Sequence, residues 1–183
     1  MSGTPEPDAV LMQRLQAGDV DAFQILYERY HGAVFGFLLR SLADRQAAED
    51  LVQETFLRVF VRRQAYRPTA AFRTWLFAIA RNLLIDRFRK ASGNTEAKDA
   101  GVLETLPAPE ASPLERAEAR ELAPRLAAAV RQLPSSQREI LLLSRFAGLS
   151  HDEVAAVTGA SPQAVRVALH RALRRLREQL GSL

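Results

Sequence analysis

A chain of 183 residues that is 48% hydrophobic can build one domain or two small ones with real cores. Its formal net charge is only +4, yet its pI is about 10.1 and almost all of its basic charge is Arg, whose fork matches phosphates and base edges, so a polyanion partner is expected. The absence of cysteine excludes disulfides, thiolate catalysis and Cys-ligated zinc, three scattered histidines make no metal site, and no cofactor is expected. No apolar run approaches the roughly 20 residues that span a bilayer, and the N-terminus lacks the segments of a signal peptide, so no membrane insertion and a cytoplasmic home are expected.

In chain order, residues 1–8 contain Pro and Gly and are expected to be a mobile N-terminus. Asp8 is placed to cap a short helix over Ala9 to Ala17, closed by Gly18, and Asp19 to cap a long amphipathic one running to about Leu42. The latter has Ala22, Phe23, Leu26, Tyr30, Val34, Phe37 and Leu38 on one side. Asp44 opens a third helix. There Leu51, Val52, Phe56, Val59 and Phe60 form one stripe, and Asp50, Gln53, Glu54 and Leu57 a second face that is both acidic and apolar. Asp50 and Glu54 are like charges one turn apart, a small cost that either a basic partner or solvent relieves.

After the loop around Pro68, AFRTWLFAIARNLLIDRFRK reads as a fourth long helix with Phe72, Trp75, Leu76, Ile79, Leu83 and Phe88 inward. Its other face carries Arg73, Arg81, Asn82, Asp86, Arg87, Arg89 and Lys90. Such interleaving suits separated nucleic-acid strands, with bases on planar groups and phosphates on Arg, although the aromatics also stand at core spacing. From residue 92 to 112 the chain is rich in Gly, Pro, Ser and acidic residues without a sustained period, which predicts a linker between a domain over 9–91 and another over 113–183.

Ser112, Pro113 and Glu115 then open a helix that Pro124 is expected to kink or divide. Ser136 and Glu139 match a capping box before a buried apolar run closed by Gly148. In the last stretch, Ser150 and Glu153 form another capping box, Gly159 ends that helix in a tight turn, and Ser161 with Pro162 starts a second one at once. Two helices so joined make a helix-turn-helix. The second one divides its faces: Val165, Leu169, Ala172, Leu173, Leu176 and Leu180 form a core stripe, while Gln163, Arg166, Val167, His170, Arg171 and Arg174 stand opposite. That face suits a major groove, where Arg forks onto guanine, Gln onto adenine and a valine methyl meets thymine. A solvated basic face on an ordinary terminal helix is the other reading. The fold class is all-α, two small helical domains joined by a flexible linker.

The whole pattern resembles a bacterial RNA polymerase sigma factor of the extracytoplasmic function group of the primary sigma family. AEDLVQETFLRVF is similar to the family's polymerase-binding segment of region 2. FRTWLFAIARNLLIDRFRK is similar to the adjoining segment that melts and reads the minus-ten element, and LPSSQREILLLSRFAGLSHDEVAAVTGASPQAVRVALHRALRRLRE to region 4.

The resemblance implies a division of labour. Asp50, Gln53, Glu54, Phe56, Leu57 and Phe60 would dock on the clamp helices of the largest subunit of core RNA polymerase. Asn82 would lie near a pocket for a base flipped from the non-template strand, helped by the loop from Arg67 to Ala71, and Arg67, Arg73, Arg81, Asp86, Arg87, Arg89 and Lys90 would track minus-ten DNA. Ser161, Gln163, Arg166, Val167, His170, Arg171 and Arg174 would read the minus-thirty-five element, with the polymerase flap touching the other side of that domain and the acidic linker threading towards the RNA exit path. A cognate anti-sigma factor is a further implied partner.

Two features depart from the family's pattern: Val167 stands where serine is frequent, and ASGNTEAKDA follows Lys90 in place of an Arg-rich run. Two other classes stay open on the residues alone, a dimeric helix-turn-helix regulator and a purely structural bundle protein. An enzyme is disfavoured, because no nucleophile with a base, no metal-ligand spacing and no phosphate-binding glycine loop is present.

Overall fold

The computed structural model describes residues 5–92 and 113–181. Among the described residues there are eight α-helices and no strand: α1 (Asp8–Gln16), α2 (Val20–Leu42), α3 (Arg45–Val61), α4 (Phe72–Ser92), α5 (Pro113–Gln132), α6 (Ser135–Arg145), α7 (His151–Thr158) and α8 (Pro162–Leu180), with a 3-10 turn over Arg63–Ala65 between α3 and α4. Of the expected mobile start, residues 1–4 lie outside the described residues, while Glu6 pairs with Arg14 and Asp8 already belongs to α1; the linker lies almost wholly outside them.

The N-terminal helices begin where side chains cap them. Asp19 accepts from the N–H of Asp21 at the start of α2, and Asp44 accepts from that of Ala47 at the start of α3. Asp8 does something else. It lies inside the first turn of α1, whose N-cap is Pro7, and its carboxylate accepts from Arg29 and the Tyr30 hydroxyl of α2. A cap aspartate turned towards a neighbouring helix ties two elements together instead of one to itself.

The apolar stripes meet in one core of Leu11, Met12, Leu15, Leu26, Val34, Phe37, Leu38, Val52, Phe56, Val59, Phe72, Leu76 and Phe77. Phe37 and Phe77 cross edge to face with centroids 5.8 Å apart, joining α2 to α4. Trp75 is half-buried and packs against Tyr66 and Phe72. Phe88 was expected to point inward and instead is 46% exposed, because by that turn α4 has run past the core and lies beside α6.

In the C-terminal half, α8 packs against α5, α6 and α7, burying Val165, Leu169, Ala172 and Leu176. One alternative of a local expectation drops out here, and a second expectation fails. Pro124 sits inside a single helix, α5, and does not divide it. The capping box at Ser136 and Glu139 does not form: α6 starts after Pro134 without a side-chain cap, and Glu139 is drawn away to an ion pair with Arg81.

The two halves abut through α4 on α7 and α2 on α6. That contact explains why α4 buries residues on more than one side, Thr74 and Leu84 among them.

Candidate nucleic-acid and protein interfaces

The helix-turn-helix is built from its caps. The Ser150 hydroxyl accepts from the N–H of Glu153 at 3.2 Å and the Glu153 carboxylate accepts from the N–H of Ser150 at 2.8 Å, closing the capping box that starts α7. Gly159 ends α7 at φ 75°, a left-handed conformation in which a Cβ is strained. Ser161 accepts from the N–H of Ala164 at 3.1 Å, and Pro162 sits at the first position of α8.

These constraints fix how α8 turns. With Val165, Leu169 and Ala172 facing the core, Gln163, Arg166, Val167, His170, Arg171 and Arg174 are all exposed and line one shallow concavity. Ser161, at the mouth of the neighbouring hollow with Gln163, Val167 and Arg171, is exposed too. Arg174 reaches Glu178 at 3.6 Å in a solvent-exposed pair. An anionic, grooved surface is the complement of such a face.

The second basic face runs along α4 and divides along its length. Asn82, Arg87, Arg89 and Lys90 are exposed and Asp86 is half-exposed, with Arg89 at 3.7 Å from it. Arg67 is exposed in the loop before α4, where its guanidinium donates to the carbonyls of Gln64 and Tyr66 and so shapes the 66–71 segment. Arg73 and Arg81 are engaged. Arg73 Nη2 donates to both oxygens of Glu153, at 2.9 and 3.1 Å, and the Thr74 hydroxyl adds a third bond at 3.3 Å. Arg81 holds Glu139 through Nε at 2.8 Å and Nη2 at 3.3 Å. Burial alone would raise the Glu153 carboxyl, but the bonds from Ser150 and Arg73 outweigh it and hold its pKa below the ordinary value.

The acidic and apolar face of α3 is partly as expected. Asp50, Gln53 and Leu57 are exposed, Leu57 at 55%, while Glu54 and Phe60 are half-exposed. Phe56 does not belong to that surface: it is 3% exposed and lies beneath Phe23 and Tyr27, ring centroids 6.3 and 4.7 Å away. The like-charge pair is relieved within its own helix, since Arg58 Nε binds Glu54 at 2.9 Å and the Gln46 amide donates to Asp50 at 3.2 Å.

Residues that sequence reasoning passed over adjoin both faces. Val61, one turn beyond Leu57, is 66% exposed and widens its apolar patch. Tyr27, His31 and Phe35 form a ladder on α2 that lines a hollow with Gln53 and Glu49, and their i, i+4, i+8 spacing was the signal. For Glu139 and Glu153 no local signal existed beyond the capping-box spacing, because their partners are 58 and 80 residues away. Among the described residues no helix is long and apolar enough to cross a membrane.

Comparison with known proteins agrees with this geometry. The family model for sigma-70 region 2 matches residues 26–93, and that for sigma-70 region 4 matches residues 124–176. The chain is 37% identical to the RNA polymerase sigma factor CarQ of Myxococcus xanthus over 94% of its own length and 97% of that protein's. It is 31% identical to the ECF RNA polymerase sigma factor SigL of Mycobacterium tuberculosis, over 91% of this chain and 93% of that one. Its fold matches that of CnrH, solved in complex with the cytosolic domain of CnrY, with a TM-score of 0.72 at 26% identity, covering 97% of this chain and 99% of that one. The two matched regions, in the order α2–α4 then α5–α8, and the relatives that span nearly the whole chain establish that it belongs to the sigma-70 family of RNA polymerase sigma factors, in its extracytoplasmic function group.

Proposed function

We propose that this sigma factor binds core RNA polymerase and directs promoter-specific initiation with two reading heads, one over 9–91 and one over 113–183, joined by the 92–112 segment. The observation that carries the reading is the exposed row on α8, Gln163, Arg166, Val167, His170, Arg171 and Arg174, held outward by a buried stripe and two side-chain caps. That row lies in the major groove of the minus-thirty-five element. Val167 supplies a methyl contact to thymine where a hydroxyl would read differently.

On α4, Asn82 faces a base flipped from the non-template strand, with the 67–71 loop forming one wall of its pocket. Arg67, Arg73, Arg81, Arg87, Arg89 and Lys90 follow the strand's phosphates, with Asp86 orienting Arg89. Extruding a base costs a few kcal/mol of unstacking, so a pocket that stabilises one base supplies melting and sequence choice together.

On α3, Asp50, Gln53, Glu54, Leu57 and Phe60 meet the clamp helices of the polymerase's largest subunit, with Phe56 supporting them from beneath. The flap meets the other side of the C-terminal head. The protein works by binding and positioning, in the cytoplasm, and has no reaction of its own. CnrH was solved with a second protein, the cytosolic domain of CnrY, which supports a protein partner here as well, and the partner we assign is a cognate anti-sigma factor.

Run-off transcription with purified core polymerase and a promoter pool tests the reading. Initiation at particular promoters should require this chain and fall with Asn82→Ala and with Arg171→Ala. Duplex binding without any complex with core polymerase would defeat it.

A further inference from the structure

Two arginines on the minus-ten face of α4 are occupied by carboxylates from the other half of the chain. Arg73 reaches both oxygens of Glu153 of α7 through Nη2, and Arg81 forks onto Glu139 of α6 through Nε and Nη2. Both are partly withdrawn from water, with side chains 36% and 19% exposed in the first pair and 20% and 24% in the second. Nearby, the Arg40 guanidinium lies over the Phe146 ring at 4.0 Å, a third bridge between the halves. A carboxylate bound to a guanidinium takes the charge and the N–H donors that a phosphate needs. Among the described residues, by contrast, the α8 face is exposed and no carboxylate of the N-terminal half is paired with it.

Resting on the reading of α4 given above, we propose that Glu139 and Glu153 act as an intramolecular clasp: they substitute for DNA phosphates at Arg81 and Arg73 and hold the minus-ten head closed while leaving the minus-thirty-five face free. Either the α4 arginines grip the C-terminal half or they grip a strand. The duplex-reading head can engage first, and the strand-reading head is released only when the halves separate. The exposed Arg87, Arg89 and Lys90 then serve as the entry end for the strand.

The test uses the full chain, which has no native cysteine to interfere with labelling. Fluorophores on Gln24→Cys and Ala156→Cys, both exposed positions, report the distance between halves. With Glu139→Gln and Glu153→Gln together, this distance should lengthen and its distribution broaden; glutamine at 153 keeps a capping-box residue, so α7 remains capped. Arg81→Glu should open the chain by repulsion from Glu139, and adding Glu139→Arg should close it again, which a merely misfolded variant would not do. Affinity for a fluorescent single strand, the non-template minus-ten strand of a promoter recovered in the transcription assay, should rise about tenfold in the double glutamine variant. An unchanged distance in that variant overturns the clasp, with the reading of α4 intact if the strand is still bound. Opening without a gain in strand affinity overturns the competition and places the fault in the assignment of Arg73 and Arg81 to DNA.

Discussion

The Asp8 carboxylate accepts the Tyr30 hydroxyl, 22 residues further along the chain, and the neighbouring Arg29 guanidinium as well. Burial, then the bond to Asp8, push the Tyr30 hydroxyl above its ordinary pKa of 10.0. Asp8→Ala is expected to lower stability by about 1–3 kcal/mol, because a half-buried hydroxyl and a guanidinium lose their acceptor together. Urea unfolding followed by circular dichroism checks this. The neutral phenol is the form that the fold favours, so the stability tied to it is intact below the ordinary Tyr value and is lost as pH rises above it. Tyr30→Phe should flatten that alkaline fall.

Two helix ends take the left-handed conformation with different residues. Ala43 closes α2 at φ 52°, and Gly159 closes α7 at φ 75°. Ala43→Gly should therefore raise the stability of the chain by about 1 kcal/mol, and Gly159→Ala should lower it by a similar amount. A midpoint that moves the same way in both would contradict the assignment of strain.

Adjacent residues on α3 separate stability from binding. Phe56→Ala empties a core position and is expected to cost about 3–5 kcal/mol in unfolding experiments. Leu57→Asp changes a side chain that is 55% exposed and should leave the melting temperature nearly unchanged, while weakening the complex with core polymerase by at least tenfold in a pull-down titration or by fluorescence anisotropy. Equal binding by Leu57→Asp and wild type would remove this face from the proposal.

On α8, Arg171→Ala is expected to cost about 1–3 kcal/mol in affinity for a minus-thirty-five duplex and to relax the choice of base at one position. Arg174→Ala, if that side chain holds a phosphate, should weaken all sequences alike and lower the salt dependence of binding by about one unit of slope. Electrophoretic mobility shifts at several salt concentrations distinguish the two.

Much of the fold was legible because its signals are local. Asp19, Asp44, Ser150, Ser161 and Gly159 each act on backbone groups within a few residues, so their chemistry sets the start of α2, α3, α7 and α8 and the end of α7 wherever those helices come to lie. The two faces of α8 were legible for the same reason, since one helical period fixes which side chains share a side. Where a residue had two available partners, local reasoning failed. Asp8 and Glu139 both look like capping residues, and both are taken by cations from other helices. Phe56 and Leu57 lie on faces that the period alone cannot rank, because burial depends on what α2 brings over them: Tyr27 and Phe23 cover Phe56 and leave Leu57 in water.

The helices, their order, the helix-turn-helix and the two basic faces follow from capping, period and charge, which neighbours in the chain carry among themselves. Which of those charges are available depends on how the two halves meet. Arg73 and Arg81 look the same in sequence as Arg87 and Arg89, yet the first two are paired across the boundary between halves and the last two face water. An ion pair between residues 80 or 58 positions apart exists only once both halves have folded and met, and no local rule can anticipate it.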